Sequence, residues 1–517
     1  MDGRDPGGSA FTRTCSVAAV ADRGTGRPLS RRATDPRRRS PFEGNMFART
    51  PTVVAFVDSP MSAIPRAVET DRQPPMSVPL RHFVVGLGFL LGCGVVGVLG
   101  SAGVVPSRTW LARVHLLLVG WVCVTIMGAM TQFVPVWSGR ALHSERLATV
   151  QLPLVTVGLL GFVGCLLVES YALLPVFGCA MAAGFWTFAY NVGRTLLDAR
   201  PWDVTERHFA VAVGFLVVVT TLGPLLAVGY ARPALGGLPV GRTGLRTAHA
   251  TVGVFGVVLT TVFGALYQLG TMFTGTELDR VDRALGRIEE VGHPVGVAAL
   301  ALGRLFDVVA LGRVGALLVA VSVFAFGVVL ARRLRGATVP WNAMLRRYAV
   351  VAGAMLSWAA LTLPVWAASP LDPAALFGAP SATALLFVGV VGFVVWGTLY
   401  HVVPFVVWVH RYSDRLGLGD VPTVADLYDD RLAATDFAAL SVGGSILVLA
   451  ESVGLPDAVV SLGGVLVFLG VVVFVVNVLS VVYRHGRGSS NAPSVTADER
   501  RTAGDAVDRD SREGSSV

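Results

Sequence analysis

Three histidines sit where an ionisable side chain is expensive to keep. His115 in ARVHLLLVGWV, His249 in RTAHATVGVFG and His401 in GTLYHVVPF each fall inside long apolar runs. Imidazole is a common ligand of metal ions and haem iron, and ionisable groups within apolar spans tend to mark function. The other six histidines, His82, His143, His208, His293, His410 and His485, are read as boundary residues at the ends of such runs.

A second pattern joins the runs. In GAMTQFVPVW, GALYQLGTMF and GTLYHVVPF a glycine (Gly128, Gly264, Gly397) is followed four residues later by Gln132, Gln268 or His401, at separations of 136 and 133 residues. A constant period points to repeated architecture, here three arcs of four helices. His115 and His249 open the first two of these runs, 13 and 15 residues ahead of the glycine, so their equivalence is approximate. Gln132, Gln268 and His401 form a polar layer, with Pro135 and Pro404 each freeing a main-chain carbonyl nearby. That layer reads equally as a cavity lining and as hydrogen bonding between helices, and the glycines equally as close-packing positions.

The elements that must hold these residues follow from composition. Of 517 residues 53% are apolar and 15% charged, with mean hydropathy +0.64, whereas a soluble domain carries roughly 25% charged residues. Apolar runs of about 20 residues match a hydrocarbon core roughly 30 Å thick. The fold expected is all-α, a polytopic membrane protein in the lipid bilayer with twelve spans, near 82–105, 112–138, 147–168, 171–196, 207–230, 247–273, 290–309, 314–332, 347–368, 382–410, 433–452 and 457–483. The seventh is the weakest, because Arg304 and Asp307 at helical spacing also suit a helix lying along the interface. Three regions result: a disordered N-terminal extension over 1–75, with a further reading in which translation starts at Met76; a membrane domain over 80–485; and a disordered tail over 488–517.

The excess of basic residues, 42 against 34 acidic, lies in the tails and short connections, which makes it topogenic and excludes a nucleic-acid surface. Arg332, Arg333, Arg335, Arg346 and Arg347 fall inside if both termini are cytoplasmic, as expected for a multi-pass protein of the cell membrane. Arg108, Arg113, Arg232, Arg242 and Arg246 are then exceptions on the outer side. The five cysteines form no CxxC pair, so neither a disulfide framework nor a cysteine-ligated metal is expected. Asp426, Asp429 and Asp430 lie in an acidic connection that reads as a solvated face rather than a cation site. No phosphate loop, nucleotide fingerprint or hydrolase elbow occurs.

The stretches HLLLVGWVCVTIMGAMTQFVP and GTLYHVVPFVVWVHRYSD, with the three-arc plan, resemble subunit I of the haem-copper oxidase superfamily, including its divergent cbb3-type-like and nitric-oxide-related members, over about residues 80–485. The resemblance implies a membrane haem protein of respiratory electron transfer or of NO or O2 handling, working with a cupredoxin-type or cytochrome subunit. It makes His115 an axial haem ligand, puts His401 in the place of the tenth-helix ligands, and matches His249 to a copper ligand. The superfamily's adjacent His-His pair is absent, and so is its sixth-helix His with a nearby Tyr, so the expectation is haem without a complete haem-copper centre. At 1.5 Å per residue, His401 sits near the inner face and the other two near the outer. His115 and His249 are then the economical pair for one haem or a metal ion, with Arg113 and Arg246 placed to meet haem propionates. Two further readings use the same residues: a transporter or channel with the polar layer as its pathway, and a structural subunit that has lost its cofactor.

Overall fold

A computed structural model describes residues 74–101, 103–104, 109–231, 241–415 and 420–486. Arg108, Arg232, residues 1–73 of the expected N-terminal extension and the tail from 487 onward lie outside the described residues. Among the described residues the regular structure is entirely helical. Where water is excluded, a helix satisfies every main-chain N–H and C=O within its own segment, and the apolar runs fold accordingly.

Among the described residues twelve long helices follow in chain order: α1 Ser77–Ser101, α2 Thr109–Ser138, α3 Glu145–Leu167, α4 Leu174–Asp198, α5 Val204–Ala231, α6 Arg242–Thr274, α7 Arg280–Phe306, α8 Val309–Arg335, α9 Ala343–Ala368, α10 Leu385–Arg415, α11 Asp430–Val453 and α12 Asp457–Gly486. Eleven are long and apolar enough to cross a membrane; α7 is not among them. Valines and leucines on the outward faces, such as Val157, Leu160, Val176 and Val476, are exposed, a surface that suits hydrocarbon and not water. The chain is a multi-pass membrane protein.

Local chemistry sets the helix ends. Ser144 accepts from Leu147 N at the start of α3, Asn342 from Leu345 N at the start of α9, and Asp429 from Arg431 N and Leu432 N at the start of α11, each satisfying first-turn donors that have no partner in the helix. Gly139, Gly275 and Gly454 close α2, α6 and α11 in the left-handed conformation.

The seventh helix departs most from the expected span. It begins at Arg280, where Asp279 and Asp282 form a reciprocal capping box, and stops at Asp307, whose φ is +59°. Arg304 and Asp307 are therefore not a helical pair. Arg304 is buried and donates to the carbonyls of Pro370, Ala375 and Leu376 and to Thr251 Oγ1, so it ties α7 to α6 and to the connection ahead of α10. α7 lies against α8 from end to end. Gly303 meets Gly312 at one end and Gly296 meets Val319 midway, while Asp282 pairs with Arg332 and Arg333 at the other.

Three helices share an irregularity absent from the sequence reading. α2, α6 and α10 each contain an eight-residue π-helical segment, Leu116–Cys123, Val252–Leu259 and Leu385–Gly392. Each segment begins twelve residues before its glycine: Leu116 before Gly128, Val252 before Gly264, Leu385 before Gly397. Against this common frame His115 stands one residue and His249 three residues before the segment. The two-residue offset read from the sequence is therefore real, and the glycine register is strict.

Candidate functional site

A cavity of about 580 Å3 opens between α2, α4, α5 and α6. His115 and His249 both line it. Nδ1 of His115 lies 2.9 Å from Leu111 O, one turn back on α2; Nδ1 of His249 lies 3.1 Å from Val219 O across on α5. A carbonyl only accepts, so each Nδ1 carries the proton and each Nε2 keeps its lone pair. Neither Nε2 makes a hydrogen bond among the described residues.

The walls are apolar: Phe162, Met181, Phe185 and Leu216 line the cavity, and the Phe162 ring lies 4.7 Å from that of His115. Space comes from small residues. Gly178, Gly223 and Gly253 line it, and a Cβ on Gly223 would come 3.4 Å from His249 Cε1. At its rim stand Arg242 and Arg246, exposed on the first turns of α6, with Arg242 stacked 4.1 Å over the Tyr230 ring.

The other expected site residues fall elsewhere. Arg113 points back to α1, where its guanidinium lies beside Gly97, and it does not line the cavity. His401 packs between Phe273 and Phe405, with ring centroids 4.0 and 5.7 Å away. Gln132 is buried, Gln268 and His401 are half-buried, and none of the three lines the cavity. Asp426 and Asp429 serve separate turns. Asp426 accepts from the hydroxyl and amide of Thr423, which hold its carboxyl below the usual range; Asp429 is held down by the amides of Leu432 and Arg431. Among the described residues no three or more His, Cys, Asp or Glu side chains are grouped as a metal ion would need.

Reading their histidines as boundary residues leaves out a second set of polar groups. His82, His208 and His293 are buried, and His293 sits midway along α7 rather than at a span end. The glycines of the repeated pattern locate two of them. A Cβ on Gly128 would lie 2.6 Å from His82 Cβ, one on Gly264 2.6 Å from His208 Cβ, and one on Gly397 3.1 Å from Arg347 Cβ. Each of these three residues meets a polar side chain of a further helix: Gln151 on α3, Glu289 on α7, Asp436 on α11. The residue three places after each glycine joins in. Gln151 donates to Thr131 at 3.4 Å, Tyr267 donates to Glu289 at 2.8 Å, and Tyr400 donates to Asp436. The sequence carried a signal for this, since R81HFVVGLG, R207HFAVAVG and R346RYAVVAG share a basic pair, an aromatic ring and a glycine seven residues on.

Compared with protein-family models and with curated proteins, the chain matches none.

Proposed function

We propose that the chain is a membrane haem protein in which His115 and His249 are the two axial ligands of one haem, acting in respiratory electron transfer or in handling NO or O2. One observation carries the reading: two imidazoles with Nδ1–H anchored on carbonyls face one cavity with Nε2 unengaged. That is how ligating histidines are held, the second nitrogen fixing ring orientation and tautomer. A bare metal ion would be left with two protein ligands, whereas a porphyrin brings four nitrogens of its own. The cavity volume lies within the roughly 300–1,000 Å3 usual for cofactor sites, and the rim guanidinium groups of Arg242 and Arg246 suit carboxylate side arms. When bound, such a group supplies one-electron chemistry or a site for a diatomic gas.

The three π segments, glycines and polar clusters support an architecture of three pseudo-repeated arcs of four helices. In it α7 counts as the twelfth span, since at 1.5 Å per residue its 27 residues run about 40 Å alongside the apolar α8. This is the plan of haem-copper oxidase subunit I, which the protein resembles, without a complete copper centre, since no His-His pair exists. The arginine-rich ends of α8 and α9 support, by the charge bias, a reading with both termini on the cytoplasmic side of the cell membrane. A cupredoxin-type or cytochrome subunit is the partner that fits such a role.

The test is the reduced-minus-oxidised absorption spectrum of the purified chain, expressed with ample haem, beside His115→Ala. A Soret and α-band pair that collapses in the variant is expected. A featureless spectrum overturns the reading and leaves a transporter or a structural subunit.

A further inference from the structure

We propose that His208 and Glu289, with Tyr267, form a buried proton-binding site reached from the surface pair Arg207–Glu290. It is independent of whether a haem is bound.

The case begins from the three polar clusters, which solve the same packing position differently. In the first, His82 Nδ1–H donates to Val78 O at 2.8 Å and Nε2 accepts from the Gln151 amide at 3.1 Å; an amide neither gains nor loses a proton, so this cluster is neutral. In the third, a guanidinium, a group that is not deprotonated in proteins, pairs Arg347 with Asp436, an arrangement Tyr400 and Asn477 complete. The second cluster has neither constraint.

His208 Nδ1 lies 2.6 Å from Val204 O and therefore carries a hydrogen. Nε2 then faces both Glu289 oxygens, at 3.1 and 3.2 Å. Those are two acceptors unless a proton lies between them. With the proton the pair is imidazolium and carboxylate, or neutral imidazole and carboxylic acid, and its net charge is zero either way. Without it a carboxylate remains at a position of 0% exposure, stabilised by the Tyr267 hydroxyl alone, at the high cost of an unpaired buried charge. Loading takes one proton from water and forms one N–H or O–H bond; unloading reverses it.

Ionisable groups flank the pair on both sides. Arg207 and Glu290, next in sequence to His208 and Glu289, are ion-paired at the surface with 46% and 26% exposure. Inward, His293 follows Glu289 by one turn of α7. Its Nε2–H donates to Phe255 O at 2.9 Å, and its Nδ1 keeps a lone pair that is buried without a hydrogen bond among the described residues. Phe255 belongs to the π segment of α6, the helix that carries His249. From α8 the neighbours are Ser322 beside Gly292 and Phe326 against Tyr267, neither of them charged.

The experiment is infrared difference spectroscopy of the full chain in lipid vesicles between about pH 5 and about pH 9, spanning carboxyl and imidazole titration. Difference bands of a buried carboxyl or imidazole are expected, lost in Glu289→Gln and retained, but slower to appear after a pH jump, in Glu290→Gln. Should Glu289→Gln fail to assemble, His208→Gln carries the same comparison. No pH-dependent buried band in the unaltered chain, or one that survives both substitutions, overturns the proposal.

Discussion

His115 and His249 come from helices far apart in the chain, yet each turns its Nδ1–H to a main-chain carbonyl, Leu111 O and Val219 O, and lines the same cavity with Nε2 unengaged. The carbonyl anchors are independent, one on the histidine's own helix and one on its neighbour, so removing one imidazole leaves the other oriented. If the pair ligates one haem, His249→Ala converts a low-spin spectrum to a high-spin one, and free imidazole, small enough for the vacated space, restores it. Titrating imidazole into the purified variant checks this; no recovery, with a normal spectrum in the unaltered chain, would place the second ligand elsewhere.

Gly223 offers a way to block the cavity without replacing a ligand. A side chain there starts 3.4 Å from His249 Cε1 and 4.0 Å from its Nδ1 and meets no other residue within 4 Å before entering the cavity. Gly223→Leu is expected to lower the haem content per chain while leaving assembly intact. The pyridine haemochrome yield beside the size-exclusion profile measures both.

His401 provides the contrast. It packs between Phe273 and Phe405, away from the cavity, so His401→Phe extends an aromatic cluster rather than removing a ligand. Its spectrum should match that of the unaltered chain. A spectral change in this variant alone would move the haem to α10.

The span pattern was legible because lipid leaves the backbone few choices, and the apolar runs 112–138, 147–168 and 433–452 lie within a few residues of α2, α3 and α11. α7 was less so. Its first ten residues, RVDRALGRIE, are polar, and they fold as helix because Asp282 is captured by Arg332 and Arg333 and the capping box closes the first turn, partners that composition does not expose. Of the site, His115 and His249 were readable from their isolation in apolar sequence. His208 and Glu289 were not. Each stands beside a more accessible charged neighbour, the exposed Arg207 and the half-buried Glu290, and so resembles the charged edge of a span; the helix places one of each pair inward and the other outward. The π segments have no signal in residue type, being runs such as LLLVGWVC and VGVFGVVL that fit an ordinary helix equally well.

Asp429 and Asp279 make acid stability a local matter of helix starts. Amides of Leu432 and Arg431 hold the Asp429 carboxyl below its ordinary range, and Asp279 is held down first by the Asp282 amide, with Arg332 adding to it. A carboxyl whose folded value is depressed stabilises the fold above its unfolded value, about 4, and that contribution is lost as pH falls through the folded value. Asp429→Asn keeps a capping oxygen but removes the titration. The variant's melting temperature in detergent should therefore fall less steeply than that of the unaltered chain below about pH 4.

Arg347 and Asp436 are the strongest structural test of the polar clusters. Their side chains are 1% and 0% exposed, and the guanidinium also donates to Ala343 O and Ala433 O and stacks 4.5 Å from the Tyr400 ring. Breaking a buried pair leaves an uncompensated charge, at a cost of about 3–5 kcal/mol, whereas replacing both partners with apolar groups is often neutral. Arg347→Met alone strands the Asp436 carboxylate against Tyr400, and Asp436→Leu alone strands the guanidinium; each is expected to lower the melting temperature sharply or prevent assembly. The double variant should recover most of the loss, because Phe437 and Phe474 already supply an apolar setting. A double variant as unstable as the worse single one would mean that the carbonyl bonds of Arg347 to α9 and α11, and not the ion pair, hold this end of the bundle together.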